Sequence, residues 1–310
     1  MVVSIALVGL GKIAHDQHVP NLLHNPHFRF DAVVSRRGAT IAGLPVFKNI
    51  GELFERMPGV EAVALATPPR GRLEQVLAAV DAKKHVLIEK PPAATGTEFE
   101  IMKREAEKHR VTLFAAWHSQ FNRAVLVAAD YLRQRSLRSL SVRWKEDVRH
   151  WHPGQDWIFD TGGFGVFDPG INALSILRAI LPTPIWLKSA ALDVPKNRVT
   201  PIRAYLEFTS QTGGADLTAE FDWLQTGPPT WNIDITTDNG HRVTLKDGGK
   251  YLLIDGNEKV AEPAEEYRKI YERFFDLIQA RRSEADGWPL QIASDAFLLG
   301  QQRTVESFHW

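Results

Sequence analysis

The stretch that decides the fold lies near the start of the 310-residue chain and is Ser4-Ile5-Ala6-Leu7-Val8-Gly9-Leu10-Gly11-Lys12-Ile13-Ala14. It begins with a mostly apolar run that predicts a buried strand, and the pattern G-x-G-x-x-A follows at residues 9–14. Small residues in this pattern allow a tight turn, close approach of the backbone to a pyrophosphate, and close packing of the next helix. Backbone N–H groups at the start of that helix can bind the phosphates.

The alternative for this motif is a purely structural turn between a strand and a helix. Here the motif directly follows a predicted strand and opens a predicted helix, which is the context that dinucleotide binding requires. We therefore predict a dinucleotide site to which the glycine turn contributes Gly9, Gly11, Lys12 and Ile13.

The first 120 residues continue the alternation of strands and helices. Short apolar runs that are typical of buried parallel strands follow at residues 28–34, 62–66, 86–88 and 112–116. Helix-like stretches separate them near residues 13–24, 51–56, 70–82 and 97–109. This order predicts an α/β Rossmann fold with a doubly wound parallel sheet over residues 1–120.

The pattern changes after residue 120. Between Ile185 and Ile254 strands follow one another with short turns, which predicts a mostly antiparallel sheet. Helices are predicted near residues 123–135, 170–181, 264–281 and 289–306. We predict an α+β domain over residues 121–310 that binds substrate and whose sheet is open on one face. Burial of that face against a second copy gives a homodimer with two-fold symmetry.

The end of the second strand bears on the choice of cofactor. NAD-specific sites usually carry an acidic residue there for the ribose 2′-hydroxyl, but this chain has Ser35, Arg36 and Arg37. A guanidinium group suits a 2′-phosphate, although the two arginines are also compatible with solvated loop charges. We predict that NADP is preferred and that NAD use is possible.

A second motif, Glu89-Lys90-Pro91-Pro92, follows the fourth predicted strand. Ligands of doubly wound sheets bind beyond the carboxyl ends of the strands, so Lys90 is expected where the nicotinamide would lie. The alternative is a surface lysine at a strand end. We also assign Glu89, together with Thr67 and Pro68 after the third strand, to the cofactor site.

Together with the Gly-rich segment 162–172, these motifs resemble the glucose–fructose oxidoreductase / inositol dehydrogenase / MocA family over essentially the whole chain. The stretches 144–155 and 167–176 resemble more specifically bacterial aldose 1-dehydrogenases of the L-arabinose and D-galactose type. Such enzymes oxidise the anomeric carbon of a pyranose to an aldonolactone. The resemblance therefore implies oxidation of an aldopyranose at C1, and the Ser35-Arg36 pair is similar to the NADP-using arabinose type.

The same resemblance implies roles for single residues. Lys90 matches the lysine that lies between cofactor and substrate, and Asp168 matches the proposed acid/base. Asn172 stands where many members have histidine, which leaves Asp168 as the better proton carrier, and Asn172 is assigned to the catalytic and substrate-binding site beside it. Glu146 and His152 match contacts to sugar hydroxyls. The Lys90–Pro91 bond is expected to be cis, as in relatives.

The residues also support an interpretation without the family. Asp168 and Asn172 are four positions apart and would share one helix face. Because Asp168 precedes Pro169, it is equally well explained as the N-cap of that helix. Flat aromatic rings suit the C–H faces of sugars, and one of Trp144, Trp151 and Trp157 is expected to line the site. Two further candidates for substrate binding are Trp231 and His118.

For the reaction, we assign Asp168 as the base that removes the C1 hydroxyl proton and Lys90 as the cation that stabilises the developing alkoxide. Three alternatives stay open. They are an inositol or diol dehydrogenase of the same family, a non-catalytic NADP-sensing regulator, and a methyltransferase that uses the glycine turn for S-adenosylmethionine. The Lys-Pro motif and the basic end of strand two disfavour the last.

Composition excludes several classes. Lys plus Arg and Asp plus Glu each number 37, and the longest basic runs are pairs, so we expect no nucleic-acid partner. No apolar stretch approaches the roughly 18 residues of a membrane span, and the start of the sequence lacks a signal-peptide pattern. The absence of cysteine fits a reducing compartment, so a cytoplasmic location is expected. His15 and His18 have helical spacing without suitable carboxylates, and we predict no metal.

Overall fold

The chain divides into two units in the computed structural model, which describes residues 2–41, 43–211, 213–261 and 265–310. The first unit comprises Met1–Trp117 with Glu265–Gly287, and the second comprises His118–Ala264 with Trp288–Trp310. The prediction of two continuous domains, 1–120 and 121–310, is therefore wrong for residues 265–287, which return to the first unit.

The first unit begins with alternating strands and helices, as the sequence predicts. In chain order they are β1 (Val3–Val8), a π-helical turn (Ala14–His18), α1 (Val19–Leu23), β2 (Phe28–Val34), β3 (Val46–Phe47), α2 (Ile50–Arg56), β4 (Ala62–Leu65), α3 (Arg72–Asp81), β5 (His85–Glu89), α4 (Gly96–His109) and β6 (Leu113–Ala116).

The second unit contains most of the remaining strands. Its first part comprises a 3-10 turn (His118–Phe121), α5 (Arg123–Leu132), β7 (Leu137–Lys145), α6 (Val148–Trp151), a 3-10 turn (Asp156–Phe159) and α7 (Phe167–Ile180). The strands that follow are β8 (Ile185–Pro195), β9 (Arg203–Ser210), β10 (Asp216–Asp222), β11 (Thr230–Thr237), β12 (Arg242–Lys246), β13 (Tyr251–Ile254) and β14 (Asn257–Ala261). The last elements of the chain are α8 (Glu266–Ala280) in the first unit, and α9 (Trp288–Leu299) and β15 (Gln301–Val305) in the second.

The sheet of the first unit has the order β3-β2-β1-β4-β5-β6, and all its strand pairs are parallel. Every residue of β1, β4 and β6 is buried, because parallel strands are covered on both faces. The doubly wound parallel sheet is thus confirmed. The order reverses at β1, so the carboxyl ends of β1 and β4 flank the switch point where such sheets bind ligands.

The sheet of the second unit has the order β14-β13-β12-β11-β7-β10-β9-β8-β15. Its pairs are antiparallel except β10 with β7 and β15 with β8, which confirms the mostly antiparallel sheet. In β9, the buried residues Ala204, Leu206 and Phe208 alternate with the exposed Tyr205 and Glu207. Helices α5, α7 and α9 pack on this sheet, with α5 against β12 to β14, α7 against β7 and α9 against β8.

Helix α8 joins the first unit through one apolar stripe, which includes Tyr271 and Phe274. The ring of Phe28 in β2 lies 5.7 Å from each of these two rings, and Phe114 in β6 lies 6.2 Å from Phe274. A sequence shows that such a stripe exists but not which sheet it will cover, and this is why the boundary prediction failed.

The two C-terminal helix predictions need correction at their ends. The helix predicted over residues 264–281 spans Glu266–Ala280, and residue 264 lies outside the described part of the chain. The helix predicted over residues 289–306 ends at Leu299, and Gln301–Val305 pairs with β8 as a parallel edge strand. Gly300 at the junction is a residue type that favours helix ends.

Candidate active site

The glycine turn after β1 has the geometry that a dinucleotide needs. Gly9 has a φ of +93°, and a Cβ there would lie 2.9 Å from Cγ2 of Thr67 and 3.0 Å from the backbone of Ala66, so only glycine fits. A Cβ on Gly11 would meet no atom within 4 Å, which leaves room for a ligand to approach its backbone. Ala14 is fully buried and permits the close helix. The residues present therefore fit a pyrophosphate.

The loop after β2 is shaped by Ser35, whose side chain is buried. The Ala39 N–H donates to Ser35 Oγ at 3.1 Å, and the Ser35 N–H donates to the Phe47 carbonyl at 2.8 Å. Arg36 and Arg37 follow and are exposed. The two guanidinium groups are thus accessible at the end of the strand where a 2′-phosphate would bind.

The loop after β4 is joined to the loop after β5 by Arg72, a residue that the sequence analysis missed. This arginine is 1% exposed and donates to the backbone carbonyls of Thr67, Glu89 and Pro91. The Thr67 hydroxyl donates to Gln75 Oε1 at 2.8 Å. Arg72 is the first residue of α3, where an arginine is usually solvated, so no local signal indicated its burial.

Glu89 and Lys90 lie where β5 ends, and the Lys90–Pro91 bond is cis, as expected. The Glu89 side chain points into the first unit. Its Oε2 accepts from the backbone N–H of Lys90 at 3.0 Å, and its Oε1 accepts from the Tyr267 hydroxyl at 2.7 Å. These partners of Glu89, a residue assigned above to the cofactor site, come from distant parts of the chain.

In the second unit, Asp168 is the second residue of α7 and is buried. Val166 occupies the N-cap position, so the alternative that Asp168 is the N-cap is wrong. The Nε2 atom of His152, which follows α6, lies 3.5 Å from Oδ2 of Asp168. The structure thus pairs the proposed base with an imidazole group.

The segment before α7 is held against neighbouring backbone. Gly165 has a φ of +52°, and a Cβ there would lie 2.3 Å from the carbonyl oxygen of Pro201. Any larger residue would push this segment away. The glycine is therefore needed to place the start of α7, and with it Asp168.

Glu146 is a second buried carboxylate in this unit, and two indoles hold it. Trp223 donates its Nε1–H to Oε1 at 3.2 Å, and Trp231 donates its Nε1–H to Oε2 at 2.8 Å. The ring of Trp223 also lies 5.5 Å from the ring of His152. Glu146, Trp231, His152 and Asp168 are thereby connected in one cluster, although they are distant in the sequence. Trp223, which links them, was missed.

The aromatic residues around this cluster are arranged about Trp231. Trp144 is buried and stacks on Trp231 at 6.1 Å between ring centroids, and the partly exposed Trp151 lies 5.2 Å from the same ring. Trp157 is also partly exposed and lies in the 3-10 turn before the glycine segment.

Two further predicted residues lie on or beside α7. Asn172 is partly exposed and stands one helical turn after Asp168. His118 begins the 3-10 turn that packs on α7, and the Gln120 side chain anchors this turn by donating to the Ser175 carbonyl at 2.8 Å. The substrate candidates Asp168, Asn172, His118 and His152 of the second unit therefore lie on or near α7. Glu146 directly follows β7, and Trp231 lies in β11.

The described residues contain neither a group of three His, Asp or Glu side chains that could hold a metal ion nor a helix long and apolar enough to cross a membrane. The second unit supplies two carboxylates, an imidazole and indoles, and the first unit supplies the dinucleotide fold with Lys90 at the end of β5.

These features define an oxidoreductase with an NAD-binding Rossmann fold, and the comparison with known families agrees. The family model described as an oxidoreductase family with an NAD-binding Rossmann fold, GFO/IDH/MocA, matches residues 3–117. Galactose 1-dehydrogenase of Pseudomonas fluorescens is 42% identical over 308 residues, which covers 99% of either chain. The chain belongs to the GFO/IDH/MocA family.

Solved structures extend the comparison. The crystal structure of a D-galactose-1-dehydrogenase from Rhizobium etli superposes with a TM-score of 0.94 at 44% identity and covers 99% of this chain and 98% of its own. A 3-ketoreductase from Actinomadura kijaniata, solved with TDP-benzene and NADP, superposes with a TM-score of 0.84 over 98% of this chain and 100% of its own. Its identity is 17%, so this second likeness concerns the fold alone.

Proposed function

We propose that this protein oxidises the anomeric hydroxyl of an aldopyranose of the D-galactose and L-arabinose type to the aldonolactone. The observation that carries the proposal is the cluster of Asp168, His152, Glu146 and Trp231 on the second unit of a chain whose full-length relative is a galactose 1-dehydrogenase. The cluster offers what a pyranose requires, which is hydroxyl-binding groups beside a flat apolar ring.

Recognition of the sugar is assigned to Glu146 and Trp231. The two indole N–H groups hold one oxygen each of the Glu146 carboxylate, and a carboxylate held in this way is the proposed acceptor for sugar hydroxyls. Asn172 and His152 supply donors and acceptors beside Asp168. His118, on the turn anchored to α7, is proposed as a further hydroxyl contact. D-galactose and L-arabinose share the configuration at C2 to C4, and both are expected to react.

Asp168 is proposed as the general base. Its carboxylate takes the proton from the C1 hydroxyl while the C1–H bond breaks and the C1=O bond of the lactone forms. His152 lies close enough to share that proton. The Lys90 ammonium stabilises the negative charge that develops on the oxygen. A bound nicotinamide supplies the hydride acceptor.

NADP is proposed as the preferred cofactor and NAD as a second one. The glycine turn with Gly9, Gly11, Lys12 and Ile13 would hold the pyrophosphate, and Thr67 and Pro68 would line the adjacent strand end. Ser35 and the exposed Arg36 and Arg37 support the preference, because guanidinium groups bind phosphate in bidentate fashion.

The test is a substrate screen that follows the formation of reduced cofactor. D-galactose, L-arabinose, D-fucose, D-xylose, D-glucose and myo-inositol are each offered with NADP and with NAD. We expect D-galactose and L-arabinose to react. Oxidation of myo-inositol alone would support the polyol alternative, and no turnover with any compound would revive a non-catalytic role.

A homodimer through the open face of the second sheet is also proposed. That face carries the exposed rings of Trp186 and Tyr205 among cross-strand ion pairs such as Arg143 with Asp234 at 2.7 Å. Light scattering at micromolar concentration should give twice the chain mass of 34.9 kDa, whereas a mass near the single chain would contradict this assembly.

A further inference from the structure

A buried polar cluster in the first unit contacts the backbone of Lys90 and has no role in the chemistry proposed above. Its members are Glu89 at the end of β5, His18 in the π-helical turn after the glycine loop, and Tyr267 and Tyr271 on α8. All four residues are buried, and none of them is more than 4% exposed. The cluster thus joins three elements that are distant in the sequence.

The hydrogen bonds of the cluster converge on the Glu89 carboxylate. In addition to Lys90 N–H and the Tyr267 hydroxyl, His18 Nε2 lies 3.0 Å from Oε1. His18 Nδ1 lies 2.7 Å from the Tyr271 hydroxyl oxygen. When Tyr271 donates to Nδ1, the ring carries its proton on Nε2 and donates it to Glu89. The bonds then run in one direction, from Tyr271 through His18 to the carboxylate.

The tyrosines keep their protons in this arrangement. Burial, and then the negative charge of Glu89, raise the pKa of Tyr267 and of Tyr271 well above the usual value. The Tyr267 hydroxyl therefore donates to Glu89, and the Tyr271 hydroxyl can donate to His18. An ionised carboxylate inside a protein is stabilised by such donors.

The backbone around Lys90 is held from two sides. Arg72 donates to the carbonyls of Glu89 and Pro91, which flank Lys90, while the Glu89 carboxylate accepts the Lys90 N–H. Burial of a carboxylate is costly, and well-packed apolar residues often stabilise a core as well or better. The placement of this charge beside Lys90 therefore indicates a role in the site rather than in packing alone.

We propose that Glu89 is a positioning residue for Lys90, and that His18 and Tyr267 orient Glu89 for this task. This inference rests on the proposed function, which gives Lys90 its electrostatic role. Helix α8 then contributes to the rate of the reaction although it lies in a C-terminal part of the sequence. A cation that stabilises developing charge must be held in place before the reaction begins, because reorganisation would reduce its effect.

The experiment compares Glu89→Gln, Tyr267→Phe and Tyr271→Phe. Gln has the shape of Glu but one oxygen, so it cannot accept from Lys90 on one side and from Tyr267 and His18 on the other. The two Phe variants form a matched pair, because each deletes one buried hydroxyl from α8 and only that of Tyr267 bonds to Glu89. We measure kcat, KM for the sugar, cofactor Kd and melting temperature.

We expect Glu89→Gln to lower kcat by about 10- to 100-fold, with sugar KM and cofactor Kd within about twofold of wild type. Tyr267→Phe should lower kcat clearly more than Tyr271→Phe, even where the two melting temperatures fall equally. A Glu89→Gln enzyme with wild-type kcat, or equal kcat losses in the two Phe variants, would overturn the proposal.

A second measurement does not depend on activity. It is the hydrogen exchange of the Lys90 amide. Pro91 and Pro92 have no N–H, so these two following residues contribute no exchanging amide that would obscure that of Lys90. Exchange should be faster in Glu89→Gln and Tyr267→Phe than in wild type and Tyr271→Phe. If wild-type protein oxidises no sugar, the proposed function fails, but the exchange data still decide whether Glu89 anchors Lys90. Unchanged exchange in Glu89→Gln contradicts that anchor.

Discussion

His152 Nε2 lies 3.5 Å from Asp168 Oδ2, which brings a histidine to the buried carboxylate although the residue one helical turn later is Asn172. Many members of the family that the sequence resembles have histidine at that later position. In this chain the imidazole beside Asp168 belongs to His152, which directly follows α6. This contact supports Asp168 as the base, and replacement of its carboxylate tests that role.

Asp168→Asn should lower kcat by about 10²- to 10⁴-fold, because the amide cannot take the proton from the sugar. The protein should remain folded, since Val166 and not Asp168 occupies the N-cap of α7. Steady-state kinetics and a thermal melt check this outcome, and cofactor binding serves as the control. Near-normal kcat in the variant would remove Asp168 from the mechanism.

Arg36→Ala should raise KM for NADP by about 10- to 100-fold and leave KM for NAD nearly unchanged, because a charge-assisted hydrogen bond is worth roughly 1.5–3 kcal/mol. The same variant thus contains its own control, since both cofactors share every group except the 2′-phosphate. Equal losses with NADP and NAD would show that Arg36 does not read that phosphate.

Trp231→Phe should raise sugar KM by about tenfold or more, because Glu146 loses the indole N–H that holds its Oε2 at 2.8 Å. The effect on kcat should be smaller, since the role proposed for Glu146 is to bind hydroxyls that do not react. Trp157→Phe, which changes a partly exposed indole of the same unit, is the control. Similar kinetics for the two variants would argue against a specific role of the Trp231–Glu146 bond.

Stability should fall at alkaline pH because of Tyr267 and Tyr271, whose pKa is raised well above 10.0 by burial and by the charge of Glu89. The unfolded chain loses these protons near pH 10, before the folded protein does. The free energy of unfolding is therefore level below that pH and decreases above it. Urea unfolding should show this decrease, and it should be shallower in the Tyr267→Phe/Tyr271→Phe double variant. Equal slopes would contradict the assignment.

The sequence predicts best those features that neighbouring residues determine. The turn at Gly9 follows from the preceding apolar run and the small residues after it, and strands β1, β2, β4, β5 and β6 follow from short apolar runs. β3 was missed because two residues, Val46 and Phe47, are too few to give a pattern. The N-cap prediction for Asp168 failed because Pro169 is tolerated anywhere in the first helical turn, where N–H groups lack intrahelical partners.

Features that depend on distant contacts could not be predicted in the same way. The stripe on α8 fits any apolar surface, and only the folded chain shows that Tyr267 reaches Glu89 in the first unit. Arg72 and Trp223 have no motif, yet one joins two strand ends and the other connects Glu146 with His152. Their roles follow from burial together with hydrogen-bond or ring geometry, which composition and spacing do not encode.

Hydride transfer from C1 of an aldose can be tested with D-galactose that is deuterated at C1. The protein is incubated with this sugar and NADP, and the reduced cofactor and sugar product are analysed by mass spectrometry and NMR, with Asp168→Asn as the inactive control. We expect the deuterium to appear in the reduced cofactor and galactonolactone to form. Reduced cofactor without the label, or galactose that remains intact at C1, would contradict it.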